Sequence, residues 1–200
     1  MKKISICASL LILVSCAYEP ADELTVYTSR QPQLIEPIVE KFSSETGIKV
    51  NFLSGNAQEL MERIDVEGEN SPADIFMTVD AGVLWQAAER DIFSSTNSKI
   101  LEENIPSYLR DPENKWFGLS KRARTIVYSN DQFNDNDFST YEDLADPKWE
   151  GKLCLRTSKK VYNRSLMASM IDTYGFEKAK EVVTGWISNL ATEVFSNDTN

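Results

Sequence analysis

The sequence predicts an α/β fold. Strand-like and helix-like segments alternate three times between Leu24 and Arg90, and a second series of such segments begins after residue 120. Alternation of this kind builds a parallel sheet with right-handed crossovers and helices on both faces. Such sheets bind ligands beyond the carboxyl ends of their strands.

Leu24-Thr-Val-Tyr-Thr28 alternates as a strand does, and Pro32 to Thr46 then places Leu34, Ile35, Ile38, Val39 and Phe42 on one helical stripe, with Gly47 in the C-terminal capping position. Ile48 to Leu53 reads as a second strand, and Asn56 followed by Glu59 makes a capping-box-like start for a helix that carries Leu60, Met61 and Ile64 and closes near Gly68. Ala73 to Thr78 is the third strand and Ala81 to Arg90 the third helix. A polar connection occupies residues 91–112. Trp116 to Ser120 and Arg124 to Ser129 then read as strands, Thr140 to Pro147 as a short helix stopped by proline, and Lys152 to Arg156 as a strand. Tyr162 to Tyr174 and Glu177 to Leu190 are two helices parted by Gly175, and Thr192 to Phe195 is a last strand. The expected domains are a first lobe over 24–120 and a partial second lobe over 121–200.

The beginning of the chain reads as an export signal. Lys2 and Lys3 precede an apolar run, Ile4 to Val14, that is too short to span a bilayer. Leu13-Val14-Ser15-Cys16 has the form a lipoprotein signal peptidase cuts, so residues 1–15 are expected to leave, Cys16 to carry lipid, and 16–23 to serve as a tether. Of the three cysteines, Cys7 would leave with the signal and Cys16 would be acylated. Cys154 would then have no disulfide partner, and between Leu153 and Leu155 it reads as a buried thiol.

Net charge is −10, and removal of Lys2 and Lys3 takes it to −12. With no Lys/Arg-rich run in the mature chain, nucleic acid is excluded as a partner. There is no histidine, which removes the Ser-His nucleophile pair and the commonest zinc ligand, so hydrolase and zinc-enzyme readings have no support. Gly47, Gly55 and Gly68 are too scattered to form a phosphate loop.

Five stretches in order carry a family resemblance: Leu24 to Arg30 (LTVYTSR), Phe42 to Val50 (FSSETGIKV), Ser71 to Asp80 (SPADIFMTVD), Trp116 to Tyr128 (WFGLSKRARTIVY) and Thr140 to Gly151 (TYEDLADPKWEG). They resemble the extracellular solute-binding proteins for ferric iron, especially the cyanobacterial and marine Fut-type branch. The resemblance implies a type II periplasmic-binding-protein fold, two lobes around a cleft, with the second lobe incomplete at Asn200. It implies a monomeric, non-enzymatic, periplasmic lipoprotein that captures Fe(3+), with carbonate or another small anion completing the shell, and delivers it to an inner-membrane ABC permease. Ferric iron prefers hard anionic oxygen ligands, and Tyr162 matches a tyrosine that the Fut-type proteins use as an iron ligand. Arg30, Arg124, Ser158 and Asn197 match or lie beside positions where the anion is held.

Two departures stand out. The Fut-type proteins follow the segment matching Thr28 to Arg30 with His-Tyr, whereas this chain has Gln31-Pro32, and neither residue replaces an imidazole or a phenolate. The family's adjacent tyrosine pair would follow Asn200. Asp80, at a strand end, is a substitute carboxylate or, more simply, the N-cap of the helix from Ala81. Arg122 and Arg124 alternate along an expected strand, so one at most would face the cleft. Trp85, Trp149 and Trp186 read as core or lobe-surface anchors. The same fold with another cargo, such as a polyamine, thiamine or sulfate, is the alternative. An aminomethyl-transferring enzyme of this fold would need a thiol in a polar loop, where Cys154 does not lie.

Overall fold

The computed structural model describes residues 22–134 and 136–196. Cys16 and Asn197 lie outside these residues. Contacts divide the chain into two units, Met1–Met77 and Thr78–Asn200, each described by itself.

The first unit is a three-stranded parallel sheet in the order β2-β1-β3, formed by β1 (Glu23–Thr28), β2 (Lys49–Ser54) and β3 (Ile75–Met77). β1 pairs along its whole length with β2, Val26 opposite Phe52, and at its carboxyl end with β3, Thr28 opposite Met77. The central strand is covered, so Val26, Tyr27 and Thr28 are all buried. Leu60, Met61 and Ile64 supply the buried face of α2 (Ala57–Glu67), whose N-cap Asn56 accepts from the amides of Gln58 and Glu59 as expected. The Tyr27 hydroxyl is 3.2 Å from both oxygens of Glu67, which also accepts from Arg63 Nε at 2.6 Å and Ser71 Oγ at 2.7 Å. The Arg63 bond, then the Ser71 bond, hold the Glu67 carboxyl below its ordinary range, while burial and the Glu67 contact push the Tyr27 phenol up.

The helix expected over Pro32 to Thr46 is a 3₁₀ turn, Pro32–Leu34, followed by α1 (Glu36–Thr46), which ends on Gly47 at φ 76°. Of its expected stripe only Ile35 is fully buried, whereas Ile38 is 70% exposed. Among the described residues of this unit no element covers the rest of that face, so helical periodicity marked an apolar face without marking a buried one.

The second unit contains α3 (Ala81–Glu89), α4 (Lys99–Asn104), α5 (Val161–Tyr174) and α6 (Phe176–Ser188). α4 and a 3₁₀ turn at Ser107–Leu109 occupy the connection read as polar loop. Gly175, at φ 82°, parts α5 from α6. The core gathers Met170, Ala179, Val182 and Trp186, with Leu144, Leu153, Leu155 and Leu166 packed against them. Its polar fastenings are buried too. Trp186 Nε1 donates to the Tyr141 carbonyl, and Asn189 Nδ2 to those of Leu144 and Asp146.

Several expected strands are not ladders here. Residues 119–129 join no ladder, and Phe117 makes a single antiparallel bridge to Arg110. β-branched composition makes a segment ready to pair but does not provide a partner. The segments at 152–156 and 192–195 reduce to isolated parallel bridges, Leu153 with Leu190 and Arg156 with Phe195. The helix expected over Thr140 to Pro147 is two 3₁₀ turns, Glu142–Ala145 and Pro147–Trp149, because proline interrupts the run. Cys154 is exposed, not buried: Leu153 and Leu155 face the core, and the extended backbone turns the residue between them outward. Trp149 and Trp186 are core residues as expected, while Trp85 is 55% exposed. Among the described residues no helix is long and apolar enough to cross a membrane.

Candidate functional site

Lys160, in an extended conformation, opens α5, which makes Tyr162 the second residue of the helix. Three guanidinium groups lie by its ring: Arg122 at 4.6 Å from the centroid, Arg124 at 4.9 Å and Arg156 at 5.5 Å. Guanidinium groups at such distances are held by the negative face of an aromatic ring. Tyr162, Arg122 and Arg124 line a hollow of about 430 Å³ together with Asp80, Thr125 and Ser165. Asp80 is committed on both oxygens, Oδ1 accepting from the Gly82 amide at 2.8 Å and Oδ2 from the Ser165 hydroxyl at 2.7 Å. It therefore caps α3, as its simpler reading had it, and ties the start of that helix to α5.

Arg122 and Arg124 both lie by the Tyr162 ring, whereas alternation along a strand would have sent them to opposite faces. The alternation argument required a strand, and 119–129 is extended backbone outside any ladder, so the two side chains are not forced to opposite faces. Ser158 is exposed in the turn that leads from Arg156 into α5, where the Lys160 amide donates to the Thr157 carbonyl at 3.3 Å. Asn163 Nδ2 donates to the Arg156 carbonyl and fixes that residue beside the helix start.

Arg30 belongs to the first unit. It follows the carboxyl end of β1, its amide donating to Thr28 Oγ1 at 3.0 Å. The neighbouring Ser29 hydroxyl is buried with no hydrogen-bond partner among the described residues. Gln31 is extended and Pro32 begins the 3₁₀ turn, with Gln31 Oε1 accepting from Gln33 Nε2 at 3.0 Å. Among the described residues no three His, Cys, Asp or Glu side chains converge.

Arg122 and Arg156 were missed as site residues. A signal for Arg156 existed, since it closes the expected strand at 152–156 at its carboxyl end, where sheets of this kind present ligand-binding groups. Arg122 was set aside by the alternation argument alone. The arrangement gives one phenol oxygen and a local concentration of positive charge in an acidic chain, which suits an anionic ligand or a metal carried with an anion.

The profile of the bacterial extracellular solute-binding proteins matches residues 70–194. The chain belongs to that family. Iron uptake protein A1 of Synechocystis sp. is 46% identical over 198 residues, covering 94% of this chain and 55% of that protein. Among solved structures, the IdiA/FutA protein of Trichodesmium in complex with iron and citrate ligands is 45% identical with a TM-score of 0.81, covering 88% of this chain and 56% of that one. Apo FutA2 of Synechocystis is 41% identical with a TM-score of 0.79, covering 90% and 55%. The α/β class and type II periplasmic-binding-protein fold expected of this solute-binding protein are those of these relatives. The chain spans about half the length of the relatives it matches.

Proposed function

We propose that this solute-binding protein captures ferric iron outside the cytoplasm for an ABC importer, with the Tyr162 phenolate as a ligand. The observation that supports it is the placement of the one matching tyrosine at the start of α5, beside three guanidinium groups and open to a hollow. The names of the similar proteins, an iron uptake protein and a structure holding iron and citrate, support the same cargo.

A phenol ordinarily ionises near pH 10, so the metal must displace its proton. The guanidinium groups beside the ring would hold a small anion, carbonate or a carboxylate, against the metal. Arg124 and Ser158 would serve that anion from the second unit. Arg30, whose neighbour Ser29 has a hydroxyl without a hydrogen-bond partner among the described residues, and Asn197 are the remaining anion-binding candidates of the sequence. In this reading Gln31-Pro32 supplies no ligand, the segments 24–120 and 121–200 are the two lobes, and no catalysis is involved. Lipid on Cys16 would hold a monomer at the periplasmic face of the membrane, within reach of the inner-membrane permease.

Titration of the iron-free chain with ferric nitrilotriacetate tests the cargo. The expected result is a visible phenolate-to-iron charge-transfer band that saturates with added metal. A folded chain that develops no band is not a ferric-iron protein of this design.

A further inference from the structure

We propose that two copies of this chain pair through the segment 119–129, antiparallel about Ile126, so that the open backbone of one copy completes that of the other. The proposal goes beyond the ferric-iron reading, which concerns one chain and its cargo. The monomer of that reading and this pair are the two ends of one concentration-dependent equilibrium.

From 119 to 127 no main-chain N–H or C=O group hydrogen-bonds another described residue. Satisfied backbone resumes on either side: the Gly118 amide donates to the Leu109 carbonyl at 2.7 Å, and the Ser129 carbonyl accepts from the Gln132 and Phe133 amides, each at 3.1 Å. Open main-chain groups at a surface are a template for a further strand, and Thr125, Ile126 and Val127 are β-branched residues that suit one. The stretch 124–129 holds no proline, glycine or carboxylate to blunt such an edge. Its exposure alternates with the two-residue period of a strand: Thr125, Val127 and Ser129 are exposed, Ile126 and Tyr128 half-buried. Ile126 and Tyr128 line a hollow of about 400 Å³ with Phe138 and Tyr141, and the Phe138 ring stands edge-on to that of Tyr128 at 4.9 Å. Val127, turned the other way, is 88% exposed.

Charge selects the occupant and its direction. Lys121, Arg122 and Arg124 crowd the first half of the segment, and its first carboxylate, Asp131, follows the second half. Parallel pairing of two copies in register would set each cation against its own counterpart, which is destabilising. Antiparallel pairing about Ile126 sets Val127 opposite Thr125 of the second copy and Arg124 opposite Tyr128, and carries Lys121 towards Asp131, so no cation faces another. The contact uses the same patch on both copies and closes at two. Each Val127 side chain leaves water against the other copy. A net charge of −10 on each chain opposes any general attraction between copies, which confines association to this locally basic and apolar edge. One strand pair is a small contact, so the affinity is weak.

The experiment is sedimentation equilibrium of the iron-free chain over about a hundredfold range of concentration, with hydrogen–deuterium exchange on the same samples. The expected result is a rise from the monomer mass to twice that mass, accompanied by new protection of amides within 119–129. Val127→Pro removes a main-chain donor and an apolar side chain, and Val127→Lys sets a further cation near Arg124 of the second copy. Both change a side chain that is 88% exposed, so circular dichroism should find each variant folded. Because a substitution counts twice in a two-fold pair, each should weaken dimerisation by roughly tenfold or more. Ile38→Ser, on the open face of α1, should leave it unchanged. A monomer mass at every concentration overturns the proposal. So does a mass rise without protection at 119–129, a rise that continues beyond two copies, or weakening by Ile38→Ser as large as by Val127→Pro. No iron is present, so a missing dimer leaves the ferric-iron reading standing, and a missing ferric band leaves this one.

Discussion

Replacement of Asn189 by alanine should cost the second unit about 2–4 kcal/mol. The side chain is 2% exposed, and its Nδ2 donates to the Leu144 carbonyl at 2.9 Å and the Asp146 carbonyl at 2.8 Å. The Asp146 carbonyl also accepts from the Trp149 amide at 3.0 Å, so the substitution leaves it one partner and costs about 1 kcal/mol there. Among the described residues the Leu144 carbonyl has no second donor of this kind, and leaving a buried acceptor unsatisfied costs about 1–3 kcal/mol. The small void left by the amide adds to this. For a chain of this size the total lowers the melting temperature by roughly 5–15 °C. Asn189→Asp should be worse, since it sets an anion against two carbonyl oxygens. Urea unfolding followed by tryptophan fluorescence measures the difference, because Trp186 lies in the same core. A loss below about 0.5 kcal/mol, the level of an ordinary surface change, would refute the view that Asn189 fastens α6 to the 144–146 turn.

Other consequences are open to measurement. Glu67 sits below its ordinary value of 4.5 because Arg63 and then Ser71 hydrogen-bond its charged form. The stability it gives is present above the unfolded-state value of 4.5 and is lost as pH falls through the lower folded value. Urea midpoints across that acid range should fall less steeply in Glu67→Gln, and equal slopes would contradict the assignment. Tyr27 is shifted the other way, chiefly by burial, so the stability it carries with its proton holds below pH 10.0 and is lost as pH rises beyond it; Tyr27→Phe should flatten that alkaline loss. Cys154, being exposed, should react with a thiol reagent in the native chain at close to its rate in urea, and strong native protection would restore the buried reading. Gly47→Ala places a side chain at φ 76° and should destabilise α1 by about 1 kcal/mol in the same urea assay, whereas no change would mean the turn adopts another conformation.

The parts of the fold that were legible in the sequence are those held by local rules. Asn56 caps α2 because an amide oxygen reaches the next free N–H groups whatever the rest of the chain does, and Gly47 and Gly175 end helices because they alone accept positive φ cheaply. The parallel pairing of the first sheet followed from three strand–helix repeats. What failed depended on distant partners. The β-branched segment at 124–129 joins no strand ladder among the described residues, and the Ile38 face of α1 stays open. The site was half legible. Tyr162 and Arg124 were marked by resemblance, whereas the convergence of Arg122 and Arg156 arises from a non-ladder segment and a bridge, to which no periodicity points.

Ligation of ferric iron by Tyr162 can be read by resonance Raman spectroscopy of the iron-loaded chain, excited within the visible band, in the wild type and in Tyr162→Phe. Tyrosinate ring modes are expected in the wild type and should vanish or lose most of their intensity in the variant, with iron affinity falling roughly tenfold per pH unit on acidification for the one proton displaced. Tyrosinate modes of equal intensity in both proteins would assign the ligand to another tyrosine, and iron bound without such modes would contradict the phenolate site altogether.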